Sequence, residues 1–445
     1  MAGNKKKKGA RDAALSVLDR VEGGAYADIL LDAELKGLSV PDAALATELT
    51  YGVLRWKLRL DYTIDLFSSI RAAKLERKVL NALRLGAYQL LFLTRVPASA
   101  AINESVELVK PDRKRAGFVN AVLRKILSEK ERIALPPEDD PIRRISIAWS
   151  HPEWMVRRWA ERYGLEEAAG ICRTGQEQPP RTVRVNTTLT TRERLAIELK
   201  NEGFEAVETR YSPYGLEVRG GGALGAKDPR YYIQDEASQL VPILLAPRPG
   251  EAVLDACSAP GGKTSHMAQL MENKGIIYAL DRHASRLRAV IETASRLGAE
   301  RIIKIFEADA SAPLDFIEEG TFDAILCDAP CSGLGVLRRA PDSKYRRKEE
   351  DIKELAGIQA RLLENLARYL KRGGRLVYSV CTFEPEETEA TVYGFIEKHK
   401  EFSVEDASGY LPPQCRELVD TNGFLRTFPH RHGMDGFFAA RLIKG

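Results

Sequence analysis

The sequence predicts a multidomain protein with an all-α N-terminal part, a small α+β module and a C-terminal doubly wound α/β domain. Three observations carry this. From Ala10 to about Glu129, apolar residues recur at helical spacing and β-branched alternation is scarce. The stretch Leu135-Pro136-Pro137-Glu138-Asp139-Asp140-Pro141 is polar, proline-rich punctuation. From about Tyr231, near-continuous apolar strands alternate with helical segments, the pattern of a parallel sheet covered on both faces.

Each part follows from its residues. In the first (1–135), Ala13, Ala14, Val17, Leu18 and Val21 mark one helix, Leu49, Val53 and Leu54 another, and Leu80, Leu83, Leu90 and Leu91 a third. Pro41 and Pro97 stand at junctions between helices, where they end rather than interrupt them. The second part (141–230) opens helically from Arg143 to Cys172, with Trp149, Trp154 and Trp159 read as core. It continues with an alternating strand at Arg181–Asn186, a helix near Arg192–Glu202, and strands around Ala206–Thr209 and Gly215–Val218. In the third (231–445) the strands are Ala252–Ala256, Gly275–Asp281, Arg301–Glu307, Phe322–Asp328 and Leu376–Ser379. A ligand of such a sheet sits at the carboxyl ends of its strands.

Composition narrows the class. A chain of 445 residues exceeds one ordinary core, and 44% hydrophobic with 29% charged residues is globular usage. No run approaches the ~18–20 apolar residues of a membrane span. The lysines at Lys5–Lys8 lack the apolar segment of a secretory signal, so a cytosolic location is expected. Six cysteines without a CxxC pair or zinc-type spacing imply a reduced setting and no metal. His430 and His432 read as a surface loop pair, and His266 as packed on the helix after a glycine-rich loop. Net charge is only +4, but basic clusters occur at Lys5–Lys8, Arg113–Arg115, Arg338-Arg339 and Arg346–Lys348. Each alone reads as solvated surface; together they favour contact with nucleic-acid phosphates. A monomer is the plain expectation.

The first strand of the α/β domain runs into Asp255-Ala256-Cys257-Ser258-Ala259-Pro260-Gly261-Gly262-Lys263-Thr264, where a helix begins. The glycine pair lets backbone approach a ligand, with helix N–H groups facing it. It is not a P-loop, because Cys257 stands where the first glycine of GxxxxGK[ST] belongs, and it is not GxGxxG. The second strand ends in Asp281, about twenty residues on, where an acid holds the ribose of an adenine cofactor. Asp309 and Asp328 end the next two strands, and three strand-end acids in succession are poorly explained as loop caps.

Two cysteines follow strand ends on the same side, Cys331 in Asp328-Ala329-Pro330-Cys331-Ser332-Gly333-Leu334-Gly335 and Cys381 in Val380-Cys381-Thr382-Phe383-Glu384-Pro385-Glu386-Glu387. A buried structural thiol is the plain reading of Cys257 and Cys327, but not of two cysteines in matching positions beside a cofactor loop. Cytosine C5 is a poor nucleophile until a thiolate adds to C6; a second thiol or base then helps release the product. The base must be unstacked to reach such a site.

These three motifs resemble those of bacterial ribosomal RNA small-subunit cytosine-C5 methyltransferases of the Sun/Fmu type, the RsmB family. The resemblance covers nearly the whole chain. Glu48–Trp56 resembles the NusB-type RNA-binding fold attached to that family, Tyr231–Ser238 its entry into the catalytic domain, and Met434–Ala440 its closing strand. Ser258, where the family often has alanine, is a mild departure. The resemblance implies a Rossmann-like class I methyltransferase using S-adenosylmethionine on small-subunit (16S) ribosomal RNA. It implies Cys381 as nucleophile, Cys331 as the group assisting product release, and Asp328 with Lys263 at the methionine part and the target base. Cys257, Ser258, Ala259, Pro260, Gly261, Gly262 and Lys263 would line the cofactor, Asp281 its ribose and Asp309 its adenine. Spacing leaves open which cysteine attacks, since a Pro-Cys pair is nucleophilic in DNA cytosine methyltransferases. A non-catalytic RNA-binding or assembly factor, an N- or O-methyltransferase, and action on another RNA or on DNA are the competing readings.

Overall fold

The computed structural model describes residues 9–110 and 112–445, so the cluster Lys5–Lys8 lies outside the described residues. These divide into two compact units. One runs to Glu177 and also takes Leu337–Arg347; the other comprises Gln178–Val336 and Lys348–Gly445. The division falls inside the stretch 141–230 that the sequence groups as one module.

The first unit is helical. Its members are α1 (Ala10–Val21), α2 (Ala27–Glu34), α3 (Val40–Phe67), α4 (Arg77–Phe92), α5 (Ala98–Glu107), α6 (Arg113–Glu129), α7 (Pro141–Trp149), α8 (Glu153–Tyr163) and α9 (Leu165–Thr174). Helix α4 is buried from Val79 to Gln89 on every side, which makes it the centre of the bundle. Its polar residues are accordingly paired: Arg84 with Asp61 and Glu22, and Asn81 with Asp19. On α3, a Cβ at Gly52 would overlap the Tyr88 ring, whose hydroxyl donates to Glu48 at 2.6 Å. The helical stretch expected from Arg143 to Cys172 is three helices, broken where Ser150 and Gly164 adopt positive φ. Of the three tryptophans read as core, Trp159 is buried, whereas Trp149 and Trp154 are only half-buried.

The second unit begins with an antiparallel four-stranded sheet and one helix: β1 (Thr182–Val185), α10 (Arg192–Asn201), β2 (Phe204–Glu208), β3 (Gly215–Gly220) and β4 (Tyr231–Ile233), in the order β2-β3-β1-β4. The larger sheet follows, with α11 (Glu236–Leu245), β5 (Ala252–Asp255), α12 (Gly262–Leu270), β6 (Ile276–Asp281), α13 (Ala284–Leu297), β7 (Ile303–Glu307) and β8 (Phe322–Asp328). After α14 (Ser343–Arg346), which belongs to the first unit, come α15 (Glu350–Tyr369), β9 (Leu370–Val380), α16 (Glu389–Lys398), β10 (Phe402–Glu405), β11 (Leu425–Arg426), α17 (Pro429–His432) and β12 (Phe438–Lys444).

Strands β7-β6-β5-β8-β9 are parallel, as expected. Beyond β9 the sheet turns antiparallel: β12 pairs with β9, and β10 and β11 pair with β12. The sheet is therefore mixed, because strand direction depends on how the chain returns and leaves no trace in short apolar runs. The strand order reverses at β5, with β6 and β7 to one side and β8 and β9 to the other, which opens a crevice at the carboxyl ends. Two cores flank the sheet, one around Phe322, Leu363, Tyr378 and Phe438, the other around Leu240, Met267, Leu326 and Val377. Among the described residues, no helix is long and apolar enough to cross a membrane.

Candidate active site

Parallel register places the functional side chains in one row. Asp255 ends β5, Asp281 ends β6, and Asp328 of β8 stands beside Ser379 of β9. A single cavity of about 360 Å³ opens there, lined by Cys257, Ala259, Asp281, Asp309, Asp328, Cys331 and Cys381, with Arg282, Arg286 and Arg361. A smaller recess of about 210 Å³ lies along Ser258, Ala259, Pro260, Gly262, Lys263 and Asp328, facing Tyr232 and Gln234. The residues singled out in three separate sequence motifs thus meet around adjoining spaces.

The loop between β5 and α12 is fixed from both ends. Ser258 donates its N–H (2.8 Å) and its hydroxyl (2.9 Å) to the Leu280 carbonyl. Gly261 has φ 100°, a conformation that favours glycine, and the next turn opens the N-terminus of α12. Thr264 donates to Asp255 Oδ2 at 2.7 Å, while burial raises the Asp255 carboxyl to about 7. Asp281 is buried; its Oδ1 accepts the His283 N–H at 3.0 Å and Oδ2 lies 3.3 Å from Arg286. Asp309 is exposed, and the Ser311 hydroxyl and N–H hold it below the usual carboxylate range.

At the other end of the cavity, the Cys331 and Cys381 sulfurs are 3.2 Å apart. The hydrogen bond to Cys381 and then burial push the Cys331 thiol well up. Lys263 Nζ sits 2.8 Å from Asp328 Oδ2, and Ser379 donates to Asp328 Oδ1 at 2.7 Å. Burial opposes the lysine's charge, but Asp328 outweighs it, with a further contribution from Cys381, so Lys263 is held above its ordinary value. Gly335 lies where a Cβ would overlap the Gly436 carbonyl; its N–H donates to the Cys381 carbonyl at 3.0 Å. Cys327 is in the core, whereas Cys257 is half-buried on the cavity wall.

Sequence reasoning missed Arg184. The alternation in β1 implies one polar, solvated face, yet all four residues of the strand are buried. Arg184 donates to Gln234 Oε1 (2.6 Å), the Gly262 carbonyl (2.5 Å) and Ser265 Oγ (2.9 Å), which ties the small sheet to the first turn of α12. Nothing in the spacing signals this, because the partners lie 50 to 81 residues away.

The basic clusters need correction. Arg113–Arg115 are exposed at the start of α6. Arg338 by contrast is buried, Arg346 pairs with Asp342 at 2.9 Å, and Lys344 between them is fully buried. Leu337–Arg347 belongs to the first unit, while Arg339 and Lys348 of the same two clusters are exposed as read. His430 and His432, read as a surface loop pair, lie within the short helix α17 and are half-buried, with His432 Nδ1 accepting the Phe428 N–H. His266 is buried edge-on to Tyr214. Among the described residues, no group of three or more His, Cys, Asp or Glu is placed to hold a metal ion.

Comparison with known proteins agrees along the chain. Family models match for the 16S rRNA methyltransferase RsmB/F over residues 242–443, the NusB family over 8–128, and the ferredoxin-like domain of RsmF/B-like methyltransferases over 151–224. "Probable ribosomal RNA small subunit methyltransferase B" of Bacillus subtilis is 40% identical, covering 99% of each chain. The crystal structure of PH0851 superposes with TM-score 0.82 at 27% identity, covering 99% of each chain. That of NSun6 from Pyrococcus horikoshii with SFG gives TM-score 0.57 at 26% identity, covering 66% of this chain and 98% of that one. With this identity sustained from end to end on a helical NusB domain, a small sheet module and a mixed-sheet catalytic domain, the chain belongs to the RsmB/F family of 16S rRNA methyltransferases.

Proposed function

We propose that the protein transfers a methyl group from S-adenosylmethionine to C5 of a cytosine in small-subunit (16S) ribosomal RNA, through a covalent adduct between a cysteine and C6. The observation that carries this reading is the pair of sulfurs 3.2 Å apart at one end of a cavity whose other end holds Asp281 and Asp309. The residues fit the cofactor: a buried strand-end carboxyl for the ribose, a glycine loop at a helix N-terminus for close backbone approach, and Asp309 for the adenine edge. When bound, S-adenosylmethionine supplies an electrophilic methyl on a sulfonium. Cys257, Ser258, Ala259, Pro260, Gly261, Gly262 and Lys263 line its methionine part together with Asp328.

Cys381 is the nucleophile in this reading and Cys331 assists release. The raised Cys331 thiol keeps its proton and stands 3.2 Å from the Cys381 sulfur. The Cys381 thiolate adds to C6, forming an S–C6 bond and moving the electron pair of the C5–C6 double bond onto C5, which takes the methyl group. A solvent water takes the C5 proton, the C–H electron pair re-forms the C5–C6 double bond and Cys381 leaves as a thiolate; the Cys331 thiol stands beside the leaving sulfur and can pass it a proton. Asp328, held by Lys263 and Ser379, offers an acceptor to the exocyclic amine of the base. A ribosomal RNA substrate places the work in the cytoplasm.

The test uses wild type, Cys331→Ala and Cys381→Ala with S-adenosylmethionine and small-subunit ribosomal RNA, resolved on denaturing gels. A protein–RNA adduct that accumulates only with Cys331→Ala supports the assignment. The reverse pattern exchanges the two roles, and methyl transfer with no adduct in any variant overturns the covalent mechanism.

A further inference from the structure

Beneath the Cys331 loop lies a polar brace that the steps above do not use. Glu387, in the short turn Pro385–Glu387, and Gln359, in α15, are both fully buried. Glu387 Oε1 accepts the Ser332 N–H at 2.8 Å and Gln359 Nε2 at 3.0 Å. The same Gln359 Nε2 donates to the Pro330 carbonyl at 2.9 Å. Two side chains therefore grip the backbone immediately before and immediately after Cys331. Glu387 is itself anchored, since the Tyr378 hydroxyl donates to its carbonyl at 2.6 Å. The Ser332 hydroxyl then reaches Thr382 Oγ1 at 2.9 Å, so the residues following the two cysteines are tied to each other.

A buried carboxyl group is an expensive way to hold a loop, and here Oε2 makes no hydrogen bond. An apolar side chain would fill the space at less cost, but it could not accept the Ser332 N–H and the Gln359 amide together. The expense falls at the one loop whose sulfur must stay within reach of the other cysteine. We infer that Glu387 and Gln359 are positioning residues for Cys331, keeping its sulfur beside the Cys381 adduct so that release keeps pace with attack. The inference rests on the assignment of Cys331 to release.

The experiment compares wild type, Cys331→Ala, Glu387→Ala, Glu387→Gln and Gln359→Leu as full-length proteins, measuring single-turnover methyl transfer, steady-state turnover, adduct level and S-adenosylmethionine affinity. For Glu387→Ala the expected result is a turnover drop of about 100-fold, the size of effect that a ~1 Å misplacement produces. Single-turnover transfer and cofactor affinity stay within about threefold, and adduct accumulates as in Cys331→Ala. Glu387→Gln keeps an acceptor oxygen at Oε1 and restores most of the release rate. Should Glu387→Ala fail to fold, Gln359→Leu removes the second arm alone and is read by the same split. Normal turnover in the folded variants overturns the inference, as does a parallel loss of transfer and cofactor binding without adduct. If Cys331→Ala itself traps no adduct, the role of Cys331 fails instead; if it traps adduct and the brace variants do not, only the brace fails.

Discussion

Replacing Arg184 by methionine tests whether the small sheet serves the cofactor loop. The substitution keeps an unbranched stem and removes a guanidinium that makes three hydrogen bonds, to Gln234, Gly262 and Ser265. At about 1.5–3 kcal/mol per bond to a charged group, the gross loss is about 4.5–9 kcal/mol. Against this stands the cost of keeping the charge buried. Burial lowers the Arg184 pKa from 12.5 to about 9. At about 1.4 kcal/mol per pH unit, removing the charge returns about 5 kcal/mol. Gly262 keeps a donor in Ser265 Oγ at 3.1 Å, but Gln234 loses the guanidinium from its oxygen. The net expectation is a destabilisation of about 2 kcal/mol, and a several-fold loss of S-adenosylmethionine affinity as the first turn of α12 loosens. Arg184→Lys behaves nearly as poorly, because one ammonium cannot reach three acceptors set in different directions. Urea unfolding and calorimetric titration with the cofactor measure both quantities. Unchanged stability together with unchanged affinity would refute the brace.

Two further perturbations follow from the geometry. Lys344 is fully buried, its ammonium donating to the carbonyls of Arg55 (3.0 Å) and Ser150 (2.9 Å), and burial lowers it from 10.5 to about 7. The folded state therefore binds this proton less tightly than the unfolded one. The burial penalty is fully present below about pH 7 and fades as pH rises toward 10.5, so the first unit gains up to about 5 kcal/mol across that window from this group. Melting followed by calorimetry should show the rise in wild type and its loss in Lys344→Met; a rise of equal size in the variant contradicts the assignment. Gly335→Ala forces a methyl into the Gly436 carbonyl and the loop bonded to Cys381, and should lower turnover by about 100-fold while leaving S-adenosylmethionine affinity within a few-fold. Ordinary turnover in a folded Gly335→Ala protein would show that the two cysteine loops tolerate separation.

Much of this site is legible in the sequence because a parallel sheet delivers its residues to one edge. Asp281, Asp309, Asp328, Cys331 and Cys381 each follow an apolar strand, and once the strands are recognised their tips must converge. What sequence reading lost lies across the chain. Arg184 looks like the polar face of an alternating strand, since its burial depends on a helix tip 78 residues away. Gln359 sits on an amphipathic helix among ordinary polar residues, and only the fold brings it under Cys331. In the basic clusters Arg338-Arg339 and Arg346–Lys348, Arg339 and Lys348 are exposed as read, but Arg338 is buried, and between the clusters Lys344 meets backbone carbonyls instead of solvent. Strand direction beyond β9 was equally hidden, because a short apolar run is the same parallel or antiparallel.

The central claim, methyl transfer to C5 of cytosine through a C6 adduct, is tested most directly by the fate of the C5 hydrogen. Small-subunit ribosomal RNA carrying tritium at C5 of cytosine is incubated with the protein and S-adenosylmethionine, and methyl incorporation is measured against tritium released to water. The account predicts one tritium lost for each methyl gained, with neither event in Cys381→Ala. Methyl transfer that leaves all the tritium in the RNA would place the modification at another atom and contradict the account.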